Sequence, residues 1–351
     1  MTPNLKNSFN LTSKNSVYFI AEIGVNHGGS VDRAIKMINA AKKVGANAVK
    51  FQTFKAEDLV LKNTPKVKYQ KKTTSKKESH FEMIKSLELN YKKHEILKDH
   101  CKKKKIEFLS TPYDLESAKF LSKLGCKVFK TASADLVDLE LHSYLAKTKK
   151  YVIISTGMSS MNEIEECIKI YKNYNNKNYI LLHCVSNYPC SDKSLNMRAL
   201  SLMASKFKCP VGLSDHSIGH YPAIISVALG ARVIEKHFTT SKKLKGPDHK
   251  ASALPLEFRE MIKKVREAEI ILGSEKKYCQ NEEREMSKVS RKSLTLKSNM
   301  EKGEILNKKH VCLKRPGAGL FFKELKKLIG KKTKKKLKKN HQIKMNDFKI
   351  K

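Results

Sequence analysis

The chain has 351 residues, of which 40% are hydrophobic and 30% charged, as in a soluble globular protein with room for one large domain and one small domain. It contains no run of about 18 apolar residues, so we expect no membrane insertion, and the polar stretch 1–16 lacks the apolar core of a secretory signal. The net charge of +38 raises the question of nucleic-acid binding, but the lysines spread over the whole chain, so we interpret the charge as compositional bias and expect no specific nucleic-acid partner.

Short apolar runs rich in β-branched and aromatic residues predict eight strands, at 17–23, 47–52, 106–110, 127–131, 151–155, 179–184, 210–214 and 232–237. Amphipathic segments between them predict helices, for example at 31–44, 91–104, 114–124 and 160–173. Buried parallel strands are apolar without strict alternation, and eight strand–helix units are typical of a (β/α)8 TIM barrel. A doubly wound open sheet is the alternative, which the lack of a GxGxxG motif after the first strand makes weaker.

Two regions depart from the strand–helix repeat. Residues 53–90, between the second and third predicted strands, are polar and rich in lysine, and they fit either a functional lid or a solvated insertion. After residue 280 the pattern changes to short β-like pieces, with turns at Lys302-Gly303 and at 316–319. We therefore predict a barrel domain at 1–280, a polar linker at 281–289 and a small β-rich domain at 290–351.

The eight cysteines are scattered and form no CxxC pair. This spacing predicts neither a zinc ribbon nor a redox motif. A chain of this length does not need disulfide bonds for its stability, so reduced thiols and a cytoplasmic location are the expectation.

Polar residues stand at the carboxyl end of nearly every predicted strand, where the active residues of a TIM barrel lie. They are, in chain order, Glu22, Lys50, Gln52, Ser110, Thr111, Lys130, Ser133, Ser155, His183, Ser186, Ser214, His216, Glu235 and His237. A single His or Ser at such a position is more often a structural group. Polar ends on all eight strands, in phase, indicate an active site.

The side chains of alternate residues share one face of a strand, so Ser214 and His216 point together, as do Glu235 and His237. Because the last two strands of a barrel are neighbours, His216 and His237 can converge. Two imidazoles with open positions suit Mn²⁺, Zn²⁺ or Co²⁺, and nearby carboxylates favour Mn²⁺ or Mg²⁺. Lys50 and Lys130, together with several hydroxyls, suit an anion that carries both a phosphate and a carboxylate.

Two alternatives remain open on the residues alone. The first is a Schiff-base aldolase in which Lys130 attacks a ketone, but this leaves the histidine pair without a role. The second is a basic nucleic-acid-binding protein, which leaves the polar strand ends unexplained.

Ten segments carry a family resemblance over nearly the full length. They are AEIGVNHGGS (21–30), VKFQTF (49–54), FLSTPYD (108–114), FKTASADL (129–136), ISTGM (154–158), HCVSNYP (183–189), GLSDHSIG (212–219), ALGARVIEKHFT (228–239), GPDHKAS (246–252) and KRPGAG (314–319). With these motifs the chain resembles the sialic acid synthase (N-acetylneuraminate synthase) family, which includes legionaminate synthases. The resemblance implies a (β/α)8 barrel followed by a C-terminal antifreeze-like (SAF, β-clip) domain in a domain-swapped homodimer.

The resemblance also implies roles for individual residues. It implies a phosphoenolpyruvate site formed by Lys50, Thr111, Lys130, Ser133, Ser155, Ser186 and Ser214. It implies His216 and His237 as metal ligands, and Gln52, Tyr188, Asp248 and Arg315 on the sugar side. Glu22, Glu235 and Asp248 are the candidate catalytic carboxylates. Ala132 and Ser186 depart from the residues found in many members, and 53–90 could not be matched residue by residue.

The implied activity is that of a transferase. It condenses phosphoenolpyruvate with N-acetylmannosamine, or with a related 2,4-diacetamido-trideoxy-mannose, and with water. The products are N-acetylneuraminate or legionaminate, and phosphate. The expected cofactor is a divalent metal, Mn²⁺ before Mg²⁺ or Co²⁺.

Overall fold

The computed structural model describes residues 16–75 and 77–349, so residues 1–15 of the polar N-terminal stretch lie outside the described residues. The chain divides after Gly273 into two compact units.

The first unit is built on parallel strands, eight in the described residues. They are β1 (Tyr18–Gly24), β2 (Ala48–Thr53), β3 (Glu107–Pro112), β4 (Val128–Thr131), β5 (Tyr151–Ser155), β6 (Tyr179–Cys184), β7 (Val211–Asp215) and β8 (Ala231–His237). Hydrogen bonds join them in the order β3–β2–β1–β8–β7–β6–β5–β4, and β3 also packs beside β4. The sheet therefore closes as the predicted (β/α)8 barrel, which confirms the fold class against the open-sheet alternative.

Helices connect successive strands. They are α1 (Val31–Lys43), α2 (Ala56–Leu59), α3 (Lys68–Thr73), α4 (His80–Ser86), α5 (Tyr91–Lys104), α6 (Leu115–Lys123), α7 (Leu139–Lys147), α8 (Met161–Asn173), α9 (Arg198–Phe207), α10 (Tyr221–Ala228) and α11 (Pro255–Leu272). Polar caps fix several starts: Ser30 accepts a hydrogen bond from the backbone N–H of Arg33, and Ser160 forms a capping box with Glu163 at the start of α8.

Alternation along the strands separates the barrel interior into an apolar base and a polar upper layer. The inward side chains of the base form one buried cluster that includes Tyr18, Ile20, Leu109, Ile153, Leu182 and Val233. Two residues beyond this apolar layer, the same face carries charged and hydroxyl side chains instead, with the thiol of Cys184 on β6. The apolar base fills the barrel below, so ligands can enter only at the carboxyl ends of the strands.

The long segment between β2 and β3 contains three short helices, α2, α3 and α4. Met83 and Leu87 from this segment pack with Val25 and Phe54 in a small separate cluster. The segment is therefore a folded excursion above the ends of β1 and β2, with a hydrophobic anchor of its own.

The second unit begins at Ser274, and residues 281–289, predicted as a linker, are largely helical in it. Its elements are α12 (Arg284–Ser290), β9 (Ser293–Leu296), β10 (Val311–Lys314) and α13 (Leu325–Leu328), and β9 pairs antiparallel with β10. A separate core that includes Leu294, Leu306, Leu328, Ile343 and Phe348 holds it together.

No helix among the described residues combines the length and hydrophobicity that crossing a bilayer requires. The eight cysteines are all free thiols.

Candidate active site

Two carboxylates and two lysines meet in the upper layer of the barrel interior. Glu22 on β1 and Lys50 on β2 are register partners, and their Oε2 and Nζ atoms lie 2.8 Å apart. The Oε1 atom of Glu235 on β8 lies 3.8 Å from Lys50 Nζ and 3.6 Å from the Nζ atom of Lys130 on β4. All four residues are at most 4% exposed. The strand ends therefore hold a compact charge cluster that is shielded from water.

The two carboxylates of this cluster differ in their affinity for protons. Burial raises the pKa of Glu22 to about 7, against the opposing effect of Lys50. Burial also favours the protonated form of Glu235, but Lys130 and Lys50 outweigh it and keep the pKa of Glu235 below its usual range. Glu22 can thus exchange a proton near neutral pH, while Glu235 remains the negative counterpart of the lysines.

Hydroxyl groups from alternate strands complete the cluster. Lys50 donates to Oγ1 of Thr111 at 3.0 Å, and Lys130 donates to Oγ of Ser155 at 2.6 Å. Ser214 donates to Oε1 of Glu235 at 3.2 Å. Five of the residues predicted to bind phosphoenolpyruvate therefore converge in one place.

The other two predicted anion-binding residues, Ser133 and Ser186, meet at a glycine in the loop after β5. The backbone N–H of Gly157 donates to Ser133 Oγ at 3.0 Å. A Cβ atom at Gly157 would lie 2.8 Å from Ser133 Oγ and 2.5 Å from Ser186 Oγ, so only glycine fits without displacing these hydroxyls. The position forms a small hydroxyl cradle at the barrel mouth.

Three residues predicted for the sugar side, Gln52, Tyr188 and Asp248, lie next to this cluster. Gln52 donates to Oε1 of Glu22 at 3.4 Å. The ring of Tyr188 lies 4.1 Å from that of His216 and 5.3 Å from that of His237, measured between centroids. Asp248 Oδ2 is 3.9 Å from His237 Nδ1, and burial raises the pKa of Asp248 to about 6.

His216 and His237 lie close enough to act together as imidazole ligands of a divalent cation. Their ring centroids lie 5.4 Å apart. His216 Nδ1 lies 2.8 Å from the carbonyl oxygen of Val185, which accepts the Nδ1 proton, so the ring presents the Nε2 lone pair in its neutral form. Burial lowers the pKa of His216, but Cys184 and the Val185 carbonyl outweigh burial and leave that pKa above its usual value. His237 Nδ1 is buried without a hydrogen-bond partner. Burial is the main cause, and the nearby His216 the second, that holds the pKa of His237 well below its usual range.

Within the described residues, no group of three or more His, Cys, Asp or Glu side chains gathers as a complete metal centre. The protein would therefore supply two imidazoles, and substrate or water would fill the remaining positions.

Sequence reasoning missed two tyrosines and a thiol near the site. Tyr69, on α3, lies 5.3 Å from the ring of Tyr188 and is largely buried. Burial, and after it nearby carboxylates that include Asp248, raise the pKa of Tyr113 well above its usual range. Cys184 Sγ lies 3.7 Å from His216 Nδ1. Because side chains alternate along a strand, the sequence of β6 could have identified Cys184 as inward-facing. No sequence pattern connects α3 with the site.

Two of the polar strand-end residues point away from the barrel interior. His183 Nε2 contacts the carbonyl oxygen of Leu195 at 2.6 Å, and Ser110 Oγ contacts Thr53 Oγ1 at 2.7 Å. Each directly follows an inward-facing residue on its strand, so its own side chain faces outward, into the layer between the strands and the helices. Polarity at a strand end therefore does not by itself place a side chain in the barrel interior.

Arg315 lies on an exposed turn directly after β10, in the second unit. The Gly317 N–H in this turn donates to the carbonyl oxygen of Lys288. A role for Arg315 in a substrate site stays a prediction.

Comparisons with known proteins agree with this architecture. Residues 37–277 match the NeuB family model, and residues 291–349 match the SAF domain model. The N,N'-diacetyllegionaminic acid synthase of Campylobacter jejuni is 40% identical over 92% of this chain and 98% of its own length. The pseudaminic acid synthase of the same organism is 34% identical over 97% of this chain and 98% of its own length.

A crystal structure of N-acetylneuraminic acid (sialic acid) synthetase from Leptospira borgpetersenii, in complex with citrate, superposes with a TM-score of 0.71 at 35% identity. The match covers 78% of this chain and 90% of that chain. These findings confirm the resemblance to sialic acid synthases. The chain therefore belongs to the NeuB family and carries a SAF domain in its second unit.

Proposed function

We propose that the protein condenses phosphoenolpyruvate with an acetamido sugar aldehyde and water, and releases phosphate. The observation that carries the proposal is the cluster of Lys50, Lys130, Glu22 and Glu235 at the barrel mouth, beside the imidazoles of His216 and His237. Phosphoenolpyruvate carries a phosphate and a carboxylate, and the cluster offers two lysines and several hydroxyls to bind them.

For the sugar we propose a 2,4-diacetamido-trideoxy-mannose, which would give N,N'-diacetyllegionaminate. The higher identity to a legionaminic acid synthase than to a pseudaminic acid synthase of the same organism supports this choice. N-acetylmannosamine, the sugar expected first from the sequence, is the alternative and would give N-acetylneuraminate.

In the proposed reaction, C3 of phosphoenolpyruvate attacks the aldehyde carbon and forms the new C–C bond, and the carbonyl oxygen takes up a proton to become a hydroxyl. Water adds to the positive charge that develops at C2 and loses a proton. Phosphate then leaves by C–O cleavage while the new C2 hydroxyl loses its proton and becomes the ketone. Lys50, Lys130 and the hydroxyls hold both anionic groups in one orientation, so catalysis comes from positioning and preorganised charge.

Glu22 is the proposed proton carrier, because its raised pKa lets it both accept and donate near neutral pH. Glu235 balances the charge of the lysines, and Asp248 is the second candidate for proton transfer. A divalent cation held by His216 and His237, with Mn²⁺ as the first choice, would supply Lewis-acid polarisation of the aldehyde. The soluble substrates of this reaction support the prediction of a cytoplasmic location.

The test is phosphate release by the purified protein with phosphoenolpyruvate, Mn²⁺ and each candidate sugar in turn. The diacetamido sugar should give the highest kcat/KM, and EDTA should abolish turnover. Full activity after metal stripping would overturn the Lewis-acid role. A preference for N-acetylmannosamine would overturn only the choice of sugar.

A further inference from the structure

An ion pair lies behind the two histidines, on the outward face of the barrel wall. Asp215 on β7 and Lys236 on β8 are register partners, and each adjoins one of the imidazoles in sequence. Inward and outward side chains alternate along the strands, so these two residues face the helix layer while His216 and His237 face the site. The preceding outward residues of the same strands, Leu213 and Ile234, are apolar and fully buried, so charges are unusual here.

The pair closes a short hydrogen-bonded ring around His216. Lys236 Nζ donates to Asp215 Oδ2 at 2.5 Å and to the carbonyl oxygen of Ser217 at 2.8 Å. Asp215 Oδ1 in turn accepts from the backbone N–H of Ser217 at 2.9 Å and from its hydroxyl at 2.6 Å. Both backbone neighbours of His216 are therefore tied to β8.

Stability alone gives no reason for these charges. Asp215 is 1% exposed and Lys236 is 4% exposed, so both have lost nearly all of their hydration. Replacing a buried ion pair by packed apolar residues is often neutral or stabilising, because the desolvation cost offsets the attraction. What an apolar pair cannot supply is direction: the backbone pairing of β7 with β8 ends at Asp215, and the hydrogen bond from Lys236 ties the carbonyl of Ser217, beyond that end, to β8.

We propose that Asp215, Ser217 and Lys236 form a positioning clamp that holds the imidazoles of His216 and His237 at the spacing a divalent cation requires. The inference rests on the proposed function, because it assumes that these histidines bind the metal. The clamp touches neither substrate nor metal. It acts by fixing the β7 end and the β8 end to one another from behind.

The main test is the double variant Asp215→Leu/Lys236→Met, which fills the same space without charge. Mn²⁺ binding to metal-free protein would be measured by calorimetry without substrates, and thermal unfolding would be measured on the same samples. We expect unfolding within a few degrees of wild type and a Kd for Mn²⁺ that rises about 10- to 100-fold, the range for groups that orient metal ligands. kcat should fall while the KM for phosphoenolpyruvate stays within about two-fold.

Two further variants complete the design. Asp215→Asn keeps an oxygen acceptor for Ser217, so its Mn²⁺ affinity should lie between wild type and the double variant. Lys242→Met removes the more exposed Lys242–Glu257 pair of the same unit, and its Mn²⁺ affinity should match wild type.

Wild-type Mn²⁺ affinity in the folded double variant would overturn the clamp and leave the proposed activity standing. If wild-type protein itself bound no divalent cation yet released phosphate, the clamp and the metal role would both be overturned. If it neither bound a cation nor released phosphate with any sugar, the proposed function would fail as well.

Discussion

Burial and neighbouring charge decide what each carboxylate of the site can do. Glu22 and Glu235 are the same residue type, equally buried, and only a few ångströms from the same lysine. Glu235 faces both Lys50 and Lys130, which keep its pKa low, whereas desolvation dominates for Glu22 and raises its pKa to about 7. When the environments of two carboxylates give them different pKa values in this way, one commonly serves as the proton-transfer group and the other as a fixed charge.

His216→Ala and His237→Ala should each cripple turnover while leaving the fold intact. Each removes one of two imidazole ligands, so the loss of kcat/KM should exceed the ~10–100-fold typical of groups that only orient a ligand. Steady-state phosphate release and circular dichroism would be measured together. His183→Asn is the matched control, since His183 faces away from the barrel interior, and it should retain Mn²⁺ affinity. Near-wild-type rates in either alanine variant would place the metal elsewhere.

Asp135→Asn should stabilise the protein above neutral pH. Asp135 Oδ2 is buried without a hydrogen-bond partner, and burial, then Asp138, raise its pKa from 3.8 to about 7. Above pH 7 the folded state holds an ionised buried carboxylate at a cost. That cost disappears as the pH falls from 7 towards 4, because only the folded state takes up the proton.

The expected gain for Asp135→Asn at pH 8 is on the order of 1 kcal/mol, and it should vanish near pH 4. Denaturant unfolding at both pH values measures it. Asp192→Asn makes the same change at an exposed aspartate, where little difference is expected at either pH. A gain that does not depend on pH would contradict the account.

At the scale of elements, hydrophobic pattern predicts the strands and fails for the excursion. The predicted runs 47–52, 151–155 and 179–184 differ from β2, β5 and β6 by at most one residue at either end. Apolar runs bounded by polar strand ends carry that information locally. The short helices α2, α3 and α4 have too few turns to show a periodic apolar face, so their fold depends on distant anchors such as Val25.

For the candidate site, too, the residues on strands could be predicted from local pattern, and the contacts made by the excursion could not. Period two along the strands brings Glu22, Lys50, Lys130 and Glu235 to one face, so this cluster could be predicted from the sequence. The contact of Tyr69 with Tyr188 joins helix α3 to the loop after β6, far apart in the chain, and no local pattern encodes it. The family motifs supplied Asp248 and Tyr188, which also lie beyond the strand ends.

Tyr69→Ala should weaken sugar binding without affecting phosphoenolpyruvate. The ring is largely buried against Tyr188, which in turn packs on His216, so its loss opens the sugar side of the site. We expect the sugar KM to rise about ten-fold, equivalent to ~1.4 kcal/mol. Initial rates against each substrate separate the two KM values. Tyr174→Ala, at the end of α8, is the control; equal changes in both KM values for Tyr69→Ala would argue for general damage.

At the scale of the whole molecule, the chain combines a barrel that holds the predicted catalytic groups with a second unit that holds Arg315. A planar guanidinium on an exposed turn suits carbonyl and hydroxyl acceptors of an acetamido sugar better than a lysine does. The predicted domain-swapped homodimer would bring this arginine to the barrel of the partner. The net charge of +38 adds a general attraction for anionic substrates.

Mixing two impaired variants tests this arrangement. Arg315→Ala should raise the sugar KM or lower kcat, with little effect on phosphoenolpyruvate. Subunit exchange between Arg315→Ala and His237→Ala proteins should restore part of the activity, because one hybrid site would contain both native residues. Mass photometry or tagged co-purification would establish that mixed dimers form. No recovery in proven mixed dimers would mean that Arg315 does not act across the subunits.

The most direct test of the proposed reaction is the identity of its three-carbon donor. Burial lowers the pKa of Lys130, a property that a Schiff-base aldolase would also need, and such an aldolase would use pyruvate. Mass spectrometry of the product, with phosphoenolpyruvate or pyruvate offered beside the same sugar, separates the two chemistries. We predict a nonulosonic acid from phosphoenolpyruvate, with one phosphate released per product, and none from pyruvate. Product from pyruvate, with a borohydride-trapped adduct at Lys130, would contradict the account.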